Sequence, residues 1–310
     1  MKSRPGKWGL MTTRPARIAV VVVVACGAYL FGLYSYSRDL WPIPAFRTIV
    51  GKVNPLAGTY DGFGRLVGHP SKIGAVCPRQ SADTAVLLAI GQSNIANHAT
   101  TRVISRHPGA VFNYFGGQCY AASSPLLGAT GEEGEFLTFL ADKLISDGVY
   151  KVVVIVSSGI SGSPISRWQR DGDLNAMLAA TLRDVSGRYR VTEVIWHQGE
   201  SDFMNAMSAR SYEASFSSLV DTLVESGVRA PVFVAIATRC AANWSGDNPT
   251  ASGQRAILEK SGVHLGANTD TLVGDADRRS DGCHFGQDGQ VKTAASYAEA
   301  IKKVRASIGR

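Results

Sequence analysis

The apolar run Thr84-Ala85-Val86-Leu87-Leu88-Ala89-Ile90 stops abruptly at Gly91-Gln92-Ser93-Asn94, and Ser93 is the candidate nucleophile. A run without polar alternation reads as the central strand of a sheet covered on both faces. Polar residues gather just past its carboxyl end, the edge at which open α/β sheets bind ligands. Gly91 allows a sharp turn, so the hydroxyl of Ser93 and its own N–H can face one small cavity. The plainer reading is a strand-to-helix turn capped by Ser or Asn. Acyl transfer by serine also needs a base for the hydroxyl proton, an acid to hold that base's tautomer, and donors aimed at the developing oxyanion. His284 can be the base. Asp281 lies three residues earlier, a spacing that lets one tight turn bring its carboxylate to the same imidazole. The backbone N–H groups of Ser93 and Gly162 and the side-chain amide of Gln198 are the candidate donors. Glu200 has three readings: it orients His284 in place of Asp281, orients it together with Asp281, or organises its own loop.

These residues are scattered, so the elements must gather them. Strands are expected at Val152 to Val156, Val191 to Trp196 and Val232 to Ala237, with a weaker one near Thr271 to Val273. Helices are expected at Glu133 to Ser146, Leu174 to Val185, Tyr212 to Val224, around Gly253 to Glu259 and at Val291 to Ile308. Strict alternation implies right-handed crossovers and an α/β fold with a parallel sheet of about five strands. Val152 to Val156 runs into Ser157-Ser158-Gly159-Ile160-Ser161-Gly162-Ser163, and Val191 to Trp196 into His197-Gln198-Gly199-Glu200-Ser201-Asp202. The last strand leads to Asp281-Gly282-Cys283-His284. Parallel strands put all these ends on one edge. Val103 to Ser124 reads as a hairpin or irregular insertion whose aromatics line a cleft or pack.

Gly-Gln-Ser-Asn after the first strand, Trp196-His197-Gln198-Gly199-Glu200-Ser201-Asp202 after a middle strand and Asp281-x-x-His284 near the C-terminus come in that order. Together they resemble the sialate O-acetylesterase-like branch of the SGNH hydrolase superfamily, which includes the sixth family of carbohydrate esterases. The similarity spans roughly Val86 to Ile308. Ile160 to Trp168 is similar to that branch's Gly-Gly-Thr-x-Ile-x-x-Trp segment, with Ser161 in place of the first Gly. The resemblance implies a three-layer, flavodoxin-like fold and metal-independent removal of O-acetyl groups from sugars, with no cofactor. It also implies that Gln198 stands where the wider superfamily uses Asn as an oxyanion donor. Arg167, Trp168 and Arg239 are then candidate sugar contacts, with packing or surface roles as the alternative. His69, His98, His107, His197 and His264 read as surface or structural histidines.

The formal net charge is +7, but Lys2, Arg4, Lys7, Arg14 and Arg17 carry five of those charges ahead of any acidic residue. The rest of the chain carries +2, which gives no basis for nucleic-acid binding. Ile18 to Tyr34 holds no charge, and its cationic flank is N-terminal. The expectation is a basic cytoplasmic tail over 1–17, a transmembrane signal anchor over 18–36, a stalk over 37–80 that wraps onto the domain, and an extracytoplasmic esterase domain over 81–310. A cleaved signal peptide, or a lipoprotein box ending at Cys26, exports the domain equally. Outside the cytoplasm Cys77, Cys119, Cys240 and Cys283 read as one or two disulfides or as buried thiols, since their spacings match no zinc pattern. The expected partners are therefore an acetylated carbohydrate and, through the N-terminal helix, a membrane. Two rivals remain: a polysaccharide O-acetyltransferase using the same acyl-Ser93 intermediate, and an idle polysaccharide-binding domain, which has no use for Ser93, Asp281 and His284.

Overall fold

The computed structural model describes residues 14–37, 58–240 and 244–308. The first thirteen residues of the expected tail and residues 38–57 of the expected stalk lie outside them. Helix α1, Arg14–Ser37, covers the expected span. Among the described residues no helix is long and apolar enough to cross a membrane; the side chains of residues 18–22, 33 and 36 of the expected span are not among those described.

A small hairpin, β1 (Thr59–Tyr60) and β2 (Leu66–Gly68), precedes the main sheet. The sheet contains β3 (Gly74–Ala75), β4 (Thr84–Gly91), β5 (Val111–Phe115), β6 (Gln118–Ala121), β7 (Val152–Gly159), β8 (Glu193–His197), β9 (Val232–Ile236) and β10 (Val263–Asn268), in the order β10-β9-β8-β4-β7-β5-β6-β3. β7-β4-β8-β9-β10 are mutually parallel and follow the flavodoxin-like order, with the first strand of the set between the second and third. β5 adds to β7 in parallel, and the antiparallel strands β6 and β3 extend that edge. The sheet is thus wider than the five strands expected, because the Val103 to Ser124 insertion contributes a hairpin and the chain before the domain contributes β3.

Covering helices make three layers. Alternate residues of β4 point to opposite faces: Val86, Leu88 and Ile90 pack with α3 (Asp173–Ser186) and α5 (Ala209–Glu225). Ala85, Leu87 and Ala89 pack with α2 (Leu137–Ser146) and α7 (Gln287–Ile308). The short α4 (Glu200–Met204) follows β8, and α6 (Pro249–Ala256) follows β9 and packs on α5. A strand buried on both faces needs apolar residues at every position, which is why β4 was legible as a run.

The last strand was not where its apolar residues suggested. β10 runs over Val263–Asn268, and Thr269–Thr271 forms a 3₁₀ turn instead. As an edge strand β10 leaves Leu265 partly exposed and carries His264 and Gly266, so it lacks the apolar density of a central strand.

Candidate active site

Gly91 ends β4 between Gly159 of β7 and His197 of β8. Its φ is +137°, and a Cβ there would sit 2.1 Å from the His197 carbonyl oxygen, so only glycine fits. The chain then turns into a 3₁₀ segment, Ser93–Ile95, that places Ser93 at the carboxyl edge, 3% exposed.

The two amides bracketing Ser93 fix this turn to the other strand ends. Gln92 Oε1 accepts from the backbone N–H of Gly199 (3.3 Å) and of Ser201 (3.1 Å) and from Gln198 Nε2 (3.2 Å). Asn94 reaches the other way. Its Nδ2 donates to the Cys283 carbonyl (3.1 Å) and its Oδ1 accepts the Phe285 N–H (3.2 Å), so it grips the residues on both sides of His284. Nδ2 also donates to Glu200 Oε1 at 2.7 Å. Glu200 therefore meets the site through Asn94.

Asp281 and His284 form the local pair that their spacing predicts. His284 Nδ1 lies 2.7 Å from Asp281 Oδ2, while Asp281 Oδ1 accepts the backbone N–H groups of Cys283 (2.8 Å) and His284 (3.0 Å). Burial alone would raise the Asp281 carboxyl, but these three bonds outweigh it and hold the group well below the usual carboxylate range. Asp281 is thus ionised throughout the neutral range, ready to accept a hydrogen bond from Nδ1–H. Among the described residues no hydrogen bond joins Ser93 to His284; such bonds often close only when substrate is bound.

The candidate oxyanion donors also converge. Gln198 is fully buried, and its Nε2 lies between Gln92 Oε1, next to Ser93, and the Ser163 carbonyl (3.1 Å), next to Gly162. A third bond goes to Asp202, whose carboxyl is raised to about 6 by burial. An amide has two hydrogens, so one serves Asp202 and the other is shared by two weaker acceptors. Gly162 sits in a left-handed turn at φ +66°, and among the described residues neither its N–H nor that of Ser93 has an internal acceptor.

Several expected contacts take other roles. Trp168 is fully buried, donates Nε1–H to Ser163 Oγ at 3.0 Å and meets Trp196 edge-on, so it is a packing residue and not a sugar contact. Arg167 pairs with Asp173. Arg239 lies over the Trp244 ring at 4.6 Å. His98, set aside from sequence, stacks on the His284 ring with centroids 5.6 Å apart. His197 is fully buried beside Phe136 and Phe285, and burial lowers it to about 3, so it is neutral. Reading from sequence missed the roles of Gln92, Asn94 and Asp202. The available signal was the amide on each side of Ser93, at positions where a mere turn needs only small residues.

Burial raises Glu200 to about 7 despite the Asn94 bond, and its Oε2 has no partner among the described residues. Unfolded, the group titrates near 4.5. Between those values the native state keeps a proton that the unfolded chain has lost, so stability falls as pH rises through the window and then levels. Glu200→Gln, which can keep the Asn94 bond, should flatten part of that fall. The expected difference is up to about 3 kcal/mol between pH 4.5 and 7.5, read from denaturant melts of both proteins. Parallel pH profiles would place Glu200 outside the titration.

The family model for carbohydrate esterase, sialic acid-specific acetylesterase, matches residues 83–303. No curated protein matches the chain. Among solved structures, the chain is similar to an Arabidopsis thaliana protein at 18% identity and TM-score 0.54, covering 71% of this chain and 98% of that one. NanS gives 16% identity and TM-score 0.52 over 75% of this chain and 100% of that one. A structure titled as a novel carbohydrate acetylesterase from Xanthomonas citri gives 17% and 0.50 over 72% of this chain and 57% of that one. At these identities the likeness supports the fold.

Proposed function

The chain belongs to the carbohydrate esterase, sialic acid-specific acetylesterase family, and from that premise we propose that it removes O-acetyl groups from sugars through an acyl-Ser93 intermediate. It is a carboxylic ester hydrolase. The observation that carries the serine mechanism is the Asn94 clasp, which ties the residue after Ser93 to both neighbours of an Asp281-paired His284.

In the first half-reaction Ser93 Oγ attacks the acetyl carbonyl while His284 Nε2 takes its proton. The imidazolium is steadied by Asp281 and then gives that proton to the departing sugar oxygen. Water enters, loses a proton to His284 and attacks the acyl carbon, and collapse releases acetate and returns the proton to Ser93. The N–H groups of Ser93 and Gly162 and the Gln198 amide hold the negative oxygen in both tetrahedral intermediates. No step needs a metal or a cofactor.

Acetate release from O-acetylated sialic acid and from acetylated polysaccharide, with a serine-directed phosphonate mapped to Ser93 by mass spectrometry, tests this reading. Acetyl uptake by an added glycan in place of acetate release would mark a transferase. Gln198→Ala should lower kcat by roughly 100- to 1,000-fold, the usual cost of one oxyanion donor, with KM little changed. A change in KM alone would make Gln198 a sugar contact.

The proposal extends to topology: an uncleaved N-terminal helix tethers the catalytic domain outside the cytoplasm. Its support is the uncharged stretch Ile18 to Tyr34 behind a cationic tail, and two disulfides, Cys77–Cys119 and Cys240–Cys283, which belong in an oxidising compartment. A mature N-terminus found at a lipidated Cys26 would replace the helix with a lipid anchor.

A further inference from the structure

The two disulfides close loops of nearly equal length, with sequence separations of 42 for Cys77–Cys119 and 43 for Cys240–Cys283. In the chain-entropy account a cross-link stabilises according to the loop it closes, so the two contribute almost equally to the fold. Their placement differs. Cys77 follows β3 and Cys119 lies in β6, at the antiparallel edge of the sheet. Cys283 immediately precedes His284, and Cys240 lies in the segment after β9.

The Cys240 end hangs from a fixed shelf. Buried Asp270 accepts the backbone N–H groups of Thr238 (2.7 Å) and Arg239 (2.9 Å), and the Thr238 hydroxyl as well (2.6 Å). The Cys283 end belongs to the turn that carries the catalytic pair. Its N–H goes to Asp281, and its carbonyl accepts from Asn94 and from Arg278 Nη1 (2.6 Å). The outer side of that turn is open: the side chains of His284 and Asp281 are 25% and 43% exposed. There water competes for the bonds that Asp281 makes to the His284 N–H and imidazole, and each nets little, while the bonds from Asn94 and Arg278 to the Cys283 carbonyl are buried. A covalent tie does not yield to water.

We infer that the Cys240–Cys283 disulfide is a positioning element for His284, holding the Asp281–His284 turn at the catalytic edge so that hydrolysis, and not stability alone, depends on it. The inference rests on the Ser93–His284–Asp281 reading above. An external dithiol opens the bond by thiolate attack on one sulfur, followed by closure of the mixed disulfide. Two electrons and two protons pass to the cysteines, and the dithiol leaves as its cyclic disulfide. The turn then keeps its hydrogen bonds alone, and a displacement of about 1 Å at the base is enough to cost on the order of 100-fold in rate.

The test uses the full chain in detergent, with 4-nitrophenyl acetate as substrate. Cys240→Ala/Cys283→Ala and Cys77→Ala/Cys119→Ala should lower Tm by similar amounts. Only the first should lower kcat, by about 10- to 100-fold with KM within about twofold. Wild-type protein treated with dithiothreitol, folded by near-UV circular dichroism and shown by mass mapping to have opened Cys240–Cys283, should lose the same activity and regain it on reoxidation. This arm decides the matter if the first variant does not fold. Equal kcat for the two double variants, or full activity in folded protein with Cys240–Cys283 reduced, overturns the inference. Failure of the serine mechanism looks different: hydrolysis by the protein with both disulfides intact would survive Ser93→Ala.

Discussion

Ser93→Ala is expected to lower kcat for acetyl-ester hydrolysis by roughly four to six orders of magnitude, and His284→Ala by about the same. The two residues act as one proton-transfer unit: without the hydroxyl there is nothing for the imidazole to deprotonate, and without the imidazole the hydroxyl is a poor nucleophile. The double variant should therefore be no worse than either single one. Neither change should threaten the fold. Ser93 contributes no side-chain hydrogen bond among the described residues, and His284 sits on a partly open turn whose backbone is held by Asp281 Oδ1, Asn94 and Arg278. Residual hydrolysis should remain above the uncatalysed rate, because oxyanion donors and substrate binding survive. Activity within tenfold of wild type in either single variant would remove the serine mechanism. Equal melting temperatures for the three proteins are the control that makes the rates interpretable.

The strands that carry the site were legible because burial on both faces leaves an unbroken apolar signature. Thr84 to Gly91 and Val152 to Gly159 are buried almost throughout, and polar residues gather at or just past the carboxyl end of each. The Asp281–His284 pair was legible because a three-residue spacing is a local constraint. What depends on long-range geometry was not legible. Asn94 lies 189 residues from Cys283 and 106 from Glu200, and nothing in its own neighbourhood says that its side chain joins the two. The cysteine pairing was hidden for the same reason, since four cysteines permit three connectivities. Trp168 was left open between sugar contact and packing, because a motif position says that a residue matters without saying whether it faces substrate or core, and its full burial selects packing. β10 was missed because an edge strand need not be apolar throughout.

Asp281→Asn is expected to cost roughly 10,000-fold in kcat, whereas Glu200→Gln should stay within about tenfold of wild type. The contrast follows from what each carboxylate touches. Asp281 Oδ2 accepts a hydrogen bond from His284 Nδ1–H at 2.7 Å, and Oδ1 accepts two backbone N–H groups. An asparagine can keep its carbonyl oxygen on those N–H groups, which preserves the turn and leaves its NH₂ facing Nδ1. The imidazole can then only accept at Nδ1, so its proton moves to Nε2, the atom that must take the Ser93 proton. The shape survives while the base is blocked. Glu200 has no such lever: it accepts from Asn94 Nδ2 at 2.7 Å, and a glutamine carbonyl oxygen can accept the same bond. Its influence on His284 passes through an amide that also holds Cys283 and Phe285, so a conserved acceptor keeps the histidine turn in place. Measuring kcat and Tm for both variants on one acetyl ester decides between them. If Glu200→Gln proves the more damaging while both proteins melt like wild type, the orienting role passes to Glu200, and Asp281 becomes the residue that shapes the turn before α7.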